Sequence, residues 1–410
     1  MQNPEAPTRR QVFVAGAFTA SLLLGVVLIM ARSPASMRFD FISIYTPALL
    51  MREGHGGGIY DPQVQARVQQ SLFNRPNVLV GTHSPFELAL FAPITKLTYA
   101  KAYAVWGALN VALWMLFAYL IRPYAPAPKN TLRYLLLCFT FFPGWVALLQ
   151  GQTSLLLLVL WAFAFVFIKR RQDFWAGVFL GLGLFKFPVV LPFALICLLR
   201  GKWRLLGGFA SAASLLGAIA IAAVGVPGVH AYVHLLFDIM QNPINPPYWS
   251  ITPSNMPTLR GFFSALLAGK VGPRSIQAAA ALVSILLIAF MAWRLRHQDR
   301  ADGGSPDLMF AASLLVSEVA APYLYTHDLT PTLLAVMLVI GSPEWFRKAA
   351  CRLIVAVSVV ILYIPLYPFL VPRGALFLLA PVLVAFALAT ALLPSAEGEE
   401  VVSEYGASPS

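Results

Sequence analysis

Thr153-Ser-Leu-Leu-Leu-Leu-Val-Leu-Trp-Ala-Phe-Ala-Phe-Val-Phe-Ile168 carries no charge and runs directly into Lys169-Arg170-Arg171. Only a helix can satisfy the backbone polar groups of such a run inside hydrocarbon. A cluster of cations at its end marks the cytoplasmic side under the positive-inside rule. The same unit recurs along the chain. Apolar runs near 12–31, 98–121, 132–149, 153–168, 174–185, 187–199, 204–225, 275–293, 307–323, 329–342, 349–364 and 375–393 predict an all-α polytopic membrane protein with a bundle of about twelve transmembrane helices. The composition agrees: 59% of the 410 residues are hydrophobic and 11% charged, against about a quarter charged in ordinary soluble domains.

The net charge of +12 does not point to nucleic acid, because the cations lie between apolar runs and not along one polar face. Arg9/Arg10, Arg122/Lys129/Arg133, Lys169/Arg170/Arg171, Arg200/Lys202/Arg204, Arg294/Arg296/Arg300 and Arg347/Lys348/Arg352 alternate with segments poor in positive charge. That alternation predicts both termini in the cytoplasm of a bacterial inner membrane. Two long extracytoplasmic loops with interfacial helices are expected at 32–97 and 226–274, within a single transmembrane domain over 1–393. The tail 394–410, rich in Glu, Ser and Gly, reads as a disordered cytoplasmic segment. Arg9-Arg10 before the first run resembles an export signal, but its length of about 20 residues suits an uncleaved helix. The hairpin 174–199 is short for two crossings and holds Pro188 and Pro192, so two spans or a re-entrant loop both fit. Cys138, Cys197 and Cys351 sit apart in apolar runs, which implies neither a disulfide nor a metal site.

The remaining polar chemistry gathers on the predicted outer side. Asp40, in Arg38-Phe39-Asp40-Phe41, lies at the membrane boundary, where partial desolvation suits a general base; the same residue equally fits an N-cap for a helix from Phe41 to Met51. Tyr45 follows in that helix. Tyr60 and Asp61 come after the glycine run 56–58, in a turn with no nucleotide-loop signature. His83 and Glu87 are four apart, at helical spacing, as an acid–base pair or as a solvated cap. Gln152 sits in a turn between apolar runs. Lys186 and Arg260 are cations in apolar surroundings, which in a membrane protein are functional candidates by default; for Arg38, snorkelling to headgroups is an equal explanation. His327-Asp328 ends the ninth run as a proton-transfer or phosphate-binding candidate, with no serine nucleophile to complete a hydrolase triad. His230, His234 and Asp238 have helical spacing without a third firm ligand and read as an interfacial helix.

Taken in order, Asp40-Phe41 with Tyr45, Gly58-Ile59-Tyr60-Asp61-Pro62, Ser84-Pro85, Ala92-Pro93, Ala102-Tyr103 with Trp106, Gly151-Gln152, Ala176-Gly177, Gly181-Leu182 with Lys186 and Pro188, Ser254-Asn255 with Leu259-Arg260-Gly261, and Pro322–Asp328 resemble glycosyltransferase family 87. That family comprises polyprenol-phosphate-mannose-dependent α-1,2-mannosyltransferases of the GT-C superfamily. The resemblance implies an inverting transfer of a sugar, mannose by analogy, from a polyprenyl-phosphate donor to a lipid or glycan acceptor, in cell-envelope or glycolipid biosynthesis. It implies Asp40 as the catalytic base, and Lys186, Arg260, His327 and Arg38 around the donor phosphate. Tyr45, Tyr60, Asp61, His83, Glu87, Gln152 and Asp328 would line the substrate pocket. Partners would be the donor, the acceptor and membrane lipids, with no nucleic acid, cofactor or metal. The sequence departs from the family at His83-Ser84, where an aromatic residue usually precedes the proline. The rival from another class is a secondary transporter or lipid-linked-sugar flippase; against it stand the lack of repeated halves and the gathering of polar groups on one side.

Overall fold

The computed structural model describes residues 9–33, 40–73, 78–125, 131–245, 248–300, 305–342 and 349–392. Arg38 and the tail 394–410 lie outside the described residues. In chain order the helices are α1 (Arg9–Arg32), α2 (Phe41–Arg52), α3 (Pro62–Phe73), α4 (Pro85–Phe91), α5 (Tyr99–Ile121), α6 (Thr131–Phe139), α7 (Phe142–Gln150), α8 (Ser154–Lys169), α9 (Asp173–Leu182), α10 (Phe187–Leu199), α11 (Trp203–Gln241), α12 (Leu259–Leu267), α13 (Pro273–Arg300), α14 (Pro306–Val319), α15 (Thr332–Gly341), α16 (Ala349–Tyr363), α17 (Tyr367–Leu370) and α18 (Leu379–Leu392). Among the described residues the one strand pairing is a two-residue hairpin, Ile244 opposite Ser250 and Asn245 opposite Trp249.

The chain is all-helical as expected, but twelve long helices are not found. By length and composition five stretches can cross a membrane, Ala15–Arg32, Tyr99–Tyr124, Asp173–Leu199, Trp203–Gln241 and Pro273–Arg300, and up to seven if two bent pairs count as one crossing each. The apolar run 132–149 breaks into α6 and α7 at a 55° bend, and the run from 349 bends by 73° before α17. Ser154–Lys169, Thr326–Gly341 and Leu376–Leu392 are apolar but shorter. Hydropathy reports compatibility with lipid, and helix length follows from local breaks as well. Within α11, Gly225 takes φ +69° just before Pro227, so the long helix is two segments joined at a kink.

Asp173–Leu199 passes as one crossing on length, yet ion pairs show that it doubles back. Lys169, ending α8, pairs with Asp307 at 2.6 Å, and Arg200 and Lys202, following α10, pair with Asp299 at 3.0 and 2.9 Å. Asp299 and Asp307 flank one short connection between α13 and α14, so α8 and α10 end on the same side. Lys186, between α9 and α10, bonds instead to Gln152 at the start of α8, roughly 24 Å away along that helix at 1.5 Å per residue. Segment 173–199 is therefore a hairpin with its tip at the opposite end. Its first leg lies against α11, backbone to backbone at Gly177 with Leu205 and at Gly208 with Phe174, an approach typical of small residues between membrane helices.

At the centre lies α14. Every residue from Leu308 to Val319 is buried, as is every residue of α15 from Thr332 to Val339. Such helices are apolar on all sides because protein surrounds them completely. A second aromatic-rich cluster, centred on Phe41, Tyr45, Phe91, Tyr99, Tyr103 and Trp106, packs α2, α4 and α5 together beside it.

Candidate functional site

The site is assembled from turns at one end of the bundle. Asp40 stands at the N-cap position of α2 but makes no capping bond with its side chain. Its Oδ2 instead accepts from Gln152 Nε2 at 2.9 Å. Of the two readings open from sequence, the cap is thus set aside by the direction of the carboxylate. Gln152 is held there by the tight turn between α7 and α8. Gly151 has φ +67°, and a β-carbon on it would stand 2.8 Å from that of Phe41, so both its dihedral and the approach of α2 require glycine. Three donors of α5 fix the turn's carbonyls: Tyr103 Oη to Leu149 O at 2.6 Å, Trp106 Nε1 to Gly151 O at 2.9 Å and Asn110 Nδ2 to Gln152 O at 3.3 Å. Loop carbonyls at this depth find no water, and α5 supplies the partners they need.

From Gln152 the contacts continue into a charged cluster. Lys186 Nζ donates to Gln152 Oε1 at 3.3 Å and pairs with Asp328 Oδ1 at 2.7 Å. His327 Nδ1 lies 2.9 Å from Gln150 Oε1 and 3.7 Å from Asp40 Oδ2. Asp328 also accepts from Ser154 Oγ and from the Tyr325 amide, which closes the turn Thr326–Leu329. Burial alone would raise the Asp328 carboxyl, but the charges of His327 and Lys186 and the hydrogen bonds from Lys186 and the Tyr325 amide carry it down to about 2. Burial also lowers the His327 imidazole below its ordinary value, against the pull of Asp328 in the other direction. Two carboxylates and one fixed cation therefore meet within a few ångströms.

His83 and Glu87 adjoin this cluster. The extended stretch before His83 is held by side-chain amides of α3: Gln69 bonds both ways with Leu79, and Gln65 bonds Gly81. His83 Nε2 then lies 3.2 Å from Ser43 Oγ, and its Nδ1 lies 3.1 Å from Glu87 Oε2. Ser43 Oγ donates to the Asp40 carbonyl at 2.6 Å, and Thr153 Oγ1, next to Gln152, donates to Glu87 Oε1 at 3.1 Å. Tyr60 Oη donates to the His83 carbonyl, and burial drives its hydroxyl far above the ordinary tyrosine value.

Other expected residues stand elsewhere. Tyr45 packs between Phe41 and Tyr99 and sends its hydroxyl to Leu97 O, which places it in the aromatic core and away from the charged cluster. Asp61 is exposed and caps α3 through bonds from the Gln63 and Val64 amides. Arg260, opening α12, donates to Pro322 O at 3.0 Å and borders a cleft of about 550 Å³ with Ser254, Ser264, Gln277 and Phe377. It has no carboxylate partner among the described residues; burial lowers its guanidinium, and Tyr323 and Tyr325 oppose that shift. Tyr325 feels the charges of both Arg260 and Asp40. Glu318 stays inside α14, bonded by Thr332. His234 pairs with Asp238 on an exposed face of α11, and no group of three metal-ligating side chains occurs among the described residues.

Ser43, Thr153, Ser154 and Gln150 were not singled out from sequence. Their one visible signal is a polar side chain inside or beside an apolar run, the circumstance in which a membrane protein must provide a partner.

The family model of glycosyltransferase family 87 matches residues 82–322. No curated protein and no solved structure matches the chain. The matched stretch contains His83, Glu87, Gln152, Lys186 and Arg260, leaves Asp40 before it and His327 and Asp328 after it, and covers more than half of the sequence. With an all-helical, lipid-compatible bundle and a polar cluster converging on its middle turns, the chain belongs to glycosyltransferase family 87.

Proposed function

We propose that the protein is an inverting glycosyltransferase of GT-C type. It takes a sugar, mannose being the first to test, from a polyprenyl-phosphate donor to a hydroxyl of a lipid or glycan acceptor at the outer face of the bacterial cytoplasmic membrane. The observation that carries this reading is the Asp40 carboxylate, turned away from its helix and oriented by Gln152. Asp40 removes the acceptor's hydroxyl proton while that oxygen bonds to the anomeric carbon. The bond from that carbon to the phosphate oxygen breaks on the opposite face, and the phosphate leaves with the electron pair. Held within hydrogen-bond reach of the acceptor, such a base is worth about 10²–10⁴ in rate.

Charge distribution supports a division of labour. Lys186 is already paired with Asp328, so the region around Asp40 is net acidic and suits a neutral hydroxyl better than a phosphate. Arg260, free of acid partners among the described residues, with the charges of both it and Asp40 felt at Tyr325, suits the leaving phosphate, where a cation offsets developing charge. In this reading the α9–α10 hairpin supplies two crossings where helix length counts one, toward the expected bundle of about twelve. The basic groups Lys169, Arg200 and Lys202 gather at the end opposite Asp40, which under the positive-inside rule supports an outer location for Asp40.

The test is transfer by protein reconstituted in lipid, with polyprenyl-phosphate mannose and candidate acceptors, comparing wild type with Asp40→Asn. A loss of at least about 100-fold is expected. Transfer that survives the substitution removes Asp40 from the base role. A cysteine at position 40 labelled in whole cells only by membrane-permeant reagents would overturn the sidedness.

A further inference from the structure

After α2, α7 and α10 the chain turns in the same way. The amide of a glycine returns to the carbonyl three residues back, and the next amide returns to the carbonyl five back. Gly54, Gly151 and Gly201 hold that position with φ of +78°, +67° and +75°, the left-handed conformation that glycine adopts without strain. Helix α8 ends with the same two bonds, Arg171 to Ile168 and Gln172 to Phe167, both 2.9 Å. Here the left-handed residue is Arg171, at φ +57°, the one residue other than glycine with a positive φ among the described residues. The turn itself favours glycine, so the reason for an arginine lies in its side chain.

That side chain is exposed, as are those of Arg170 and Arg204. Neighbouring cations at this end are already neutralised, Lys169 by Asp307, and Arg200 with Lys202 by Asp299. Arg170, Arg171 and Arg204 pair with no carboxylate among the described residues. Helices α9 and α11 run side by side in one direction, Gly177 against Leu205 and Gly181 against Phe209 and Ala212. One turn earlier, the start of α9 is therefore level with Trp203 and Arg204 at the start of α11. Asp173 is the acid at this level, and three unpaired guanidiniums outnumber it. Trp175 and Trp203 are 53% and 69% exposed. An indole, apolar on its faces and a donor at its edge, settles at the boundary between hydrocarbon and headgroups.

We propose that Arg170, Arg171 and Arg204, with Trp175 and Trp203, form a site for the headgroup of an anionic phospholipid at the end of the bundle opposite Asp40. The phosphate diester accepts hydrogen bonds from the guanidiniums, whose planar forks match its oxygens. The indoles mark the level of the glycerol backbone. Basic pockets between membrane helices take anionic headgroups in this way. The site is separate from sugar transfer and needs only that the chain lie in a bilayer, so it stands or falls apart from the reading of Asp40.

Native mass spectrometry of the detergent-purified full chain, titrated with phosphatidylglycerol or with phosphatidylcholine, tests it. Each guanidinium beside an anionic headgroup is worth about 5-fold in affinity, so wild type should prefer phosphatidylglycerol by at least about 10-fold. Arg171→Gly keeps the turn and relieves its left-handed backbone. It should weaken phosphatidylglycerol binding about 5-fold while the thermal midpoint in detergent does not fall. Adding Arg204→Gln should bring the loss to about 25-fold. Arg296→Gln with Arg352→Gln removes two positive charges from α13 and α16 and should leave the preference intact. Wild-type phosphatidylglycerol binding in the Arg171→Gly/Arg204→Gln protein, or an equal loss in the Arg296→Gln/Arg352→Gln protein, would overturn the site. So would displacement of the lipid by inorganic phosphate at equal concentration, which would assign the cations to a free anion. A lower midpoint in Arg171→Gly would tie the arginine to the turn itself and also refute the proposal.

Discussion

Gln152 donates a hydrogen bond to Asp40 across 112 positions of sequence, and with its other amide atom accepts from Lys186. One planar side chain thus couples the carboxylate at the start of α2 to the tip of the α9–α10 hairpin. Replacement by Ala frees the carboxylate to rotate, and the loss of one charge-assisted bond is worth roughly 1.5–3 kcal/mol. Gln152→Ala should lower kcat about 10- to 100-fold, with KM for donor and acceptor changing less. Equal loss in Asp40→Asn and in the double variant would show the two acting as one unit; full activity in Gln152→Ala would show that the bond is dispensable.

The Lys186–Asp328 pair is nearly closed to solvent, with side chains 15% and 7% exposed. Lys186→Met leaves Asp328 buried without its cation and should destabilise the protein by about 3 kcal/mol. Adding Asp328→Asn to that variant should restore much of the loss. Thermal unfolding in detergent of the single and double variants measures the coupling, and strictly additive effects would refute it.

Acidification should weaken the fold in two stages of defined sign. His327 binds its proton less readily folded than unfolded, because burial disfavours the charged ring. Stability is therefore lost as pH falls through the unfolded value of about 6.5. Asp328 is held at about 2, below its ordinary value; the stability it lends is complete above about pH 4 and disappears as pH falls through about 2, amounting to about 2 kcal/mol. Unfolding midpoints measured from pH 7 to pH 3 should decline, and Asp328→Asn should flatten the lower part of that decline while leaving the upper part.

Gly151→Ala asks the turn for a left-handed alanine and drives a methyl group into Phe41. The backbone part costs about 1–2 kcal/mol. Because the clash separates α2 from the turn carrying Gln152, transfer should fall at least 10-fold even in protein that still purifies as a monodisperse species. Unchanged transfer in such protein would mean that the close approach is not needed.

How much of this was legible in the sequence depends on what each residue's chemistry leaves undetermined. Apolar runs locate α5 and α8 to within a residue, because a long apolar segment has one way to satisfy its backbone in lipid. The break at Thr140 and Phe141 and the kink at Gly225 are not legible, since hydropathy says little about bends; the return of 174–199 at Lys186 is, with two spans or a re-entrant loop left open. In the site, Asp40, Gln152, Lys186, His327 and Asp328 could be named because ionisable and amide groups are conspicuous against apolar sequence. That the structure brings them together depends on turns far apart in the chain, which no local pattern encodes. Tyr45 and Asp61 look equally suitable by type, but a nearby carbonyl and a helix terminus take up their hydrogen bonds. Arg260 opens onto its own cleft, bound to a main-chain carbonyl that sequence cannot reveal.

The burial of α14 on every side also bears on how the enzyme is made. Synthesis delivers Asp40 to the membrane well before α14 and the turn bearing His327 and Asp328. Under the role proposed for this cluster, the nascent protein stays inert until α14 and that turn join the earlier helices. Truncation anywhere before Asp328 would leave the buried Lys186 without its ion-pair partner.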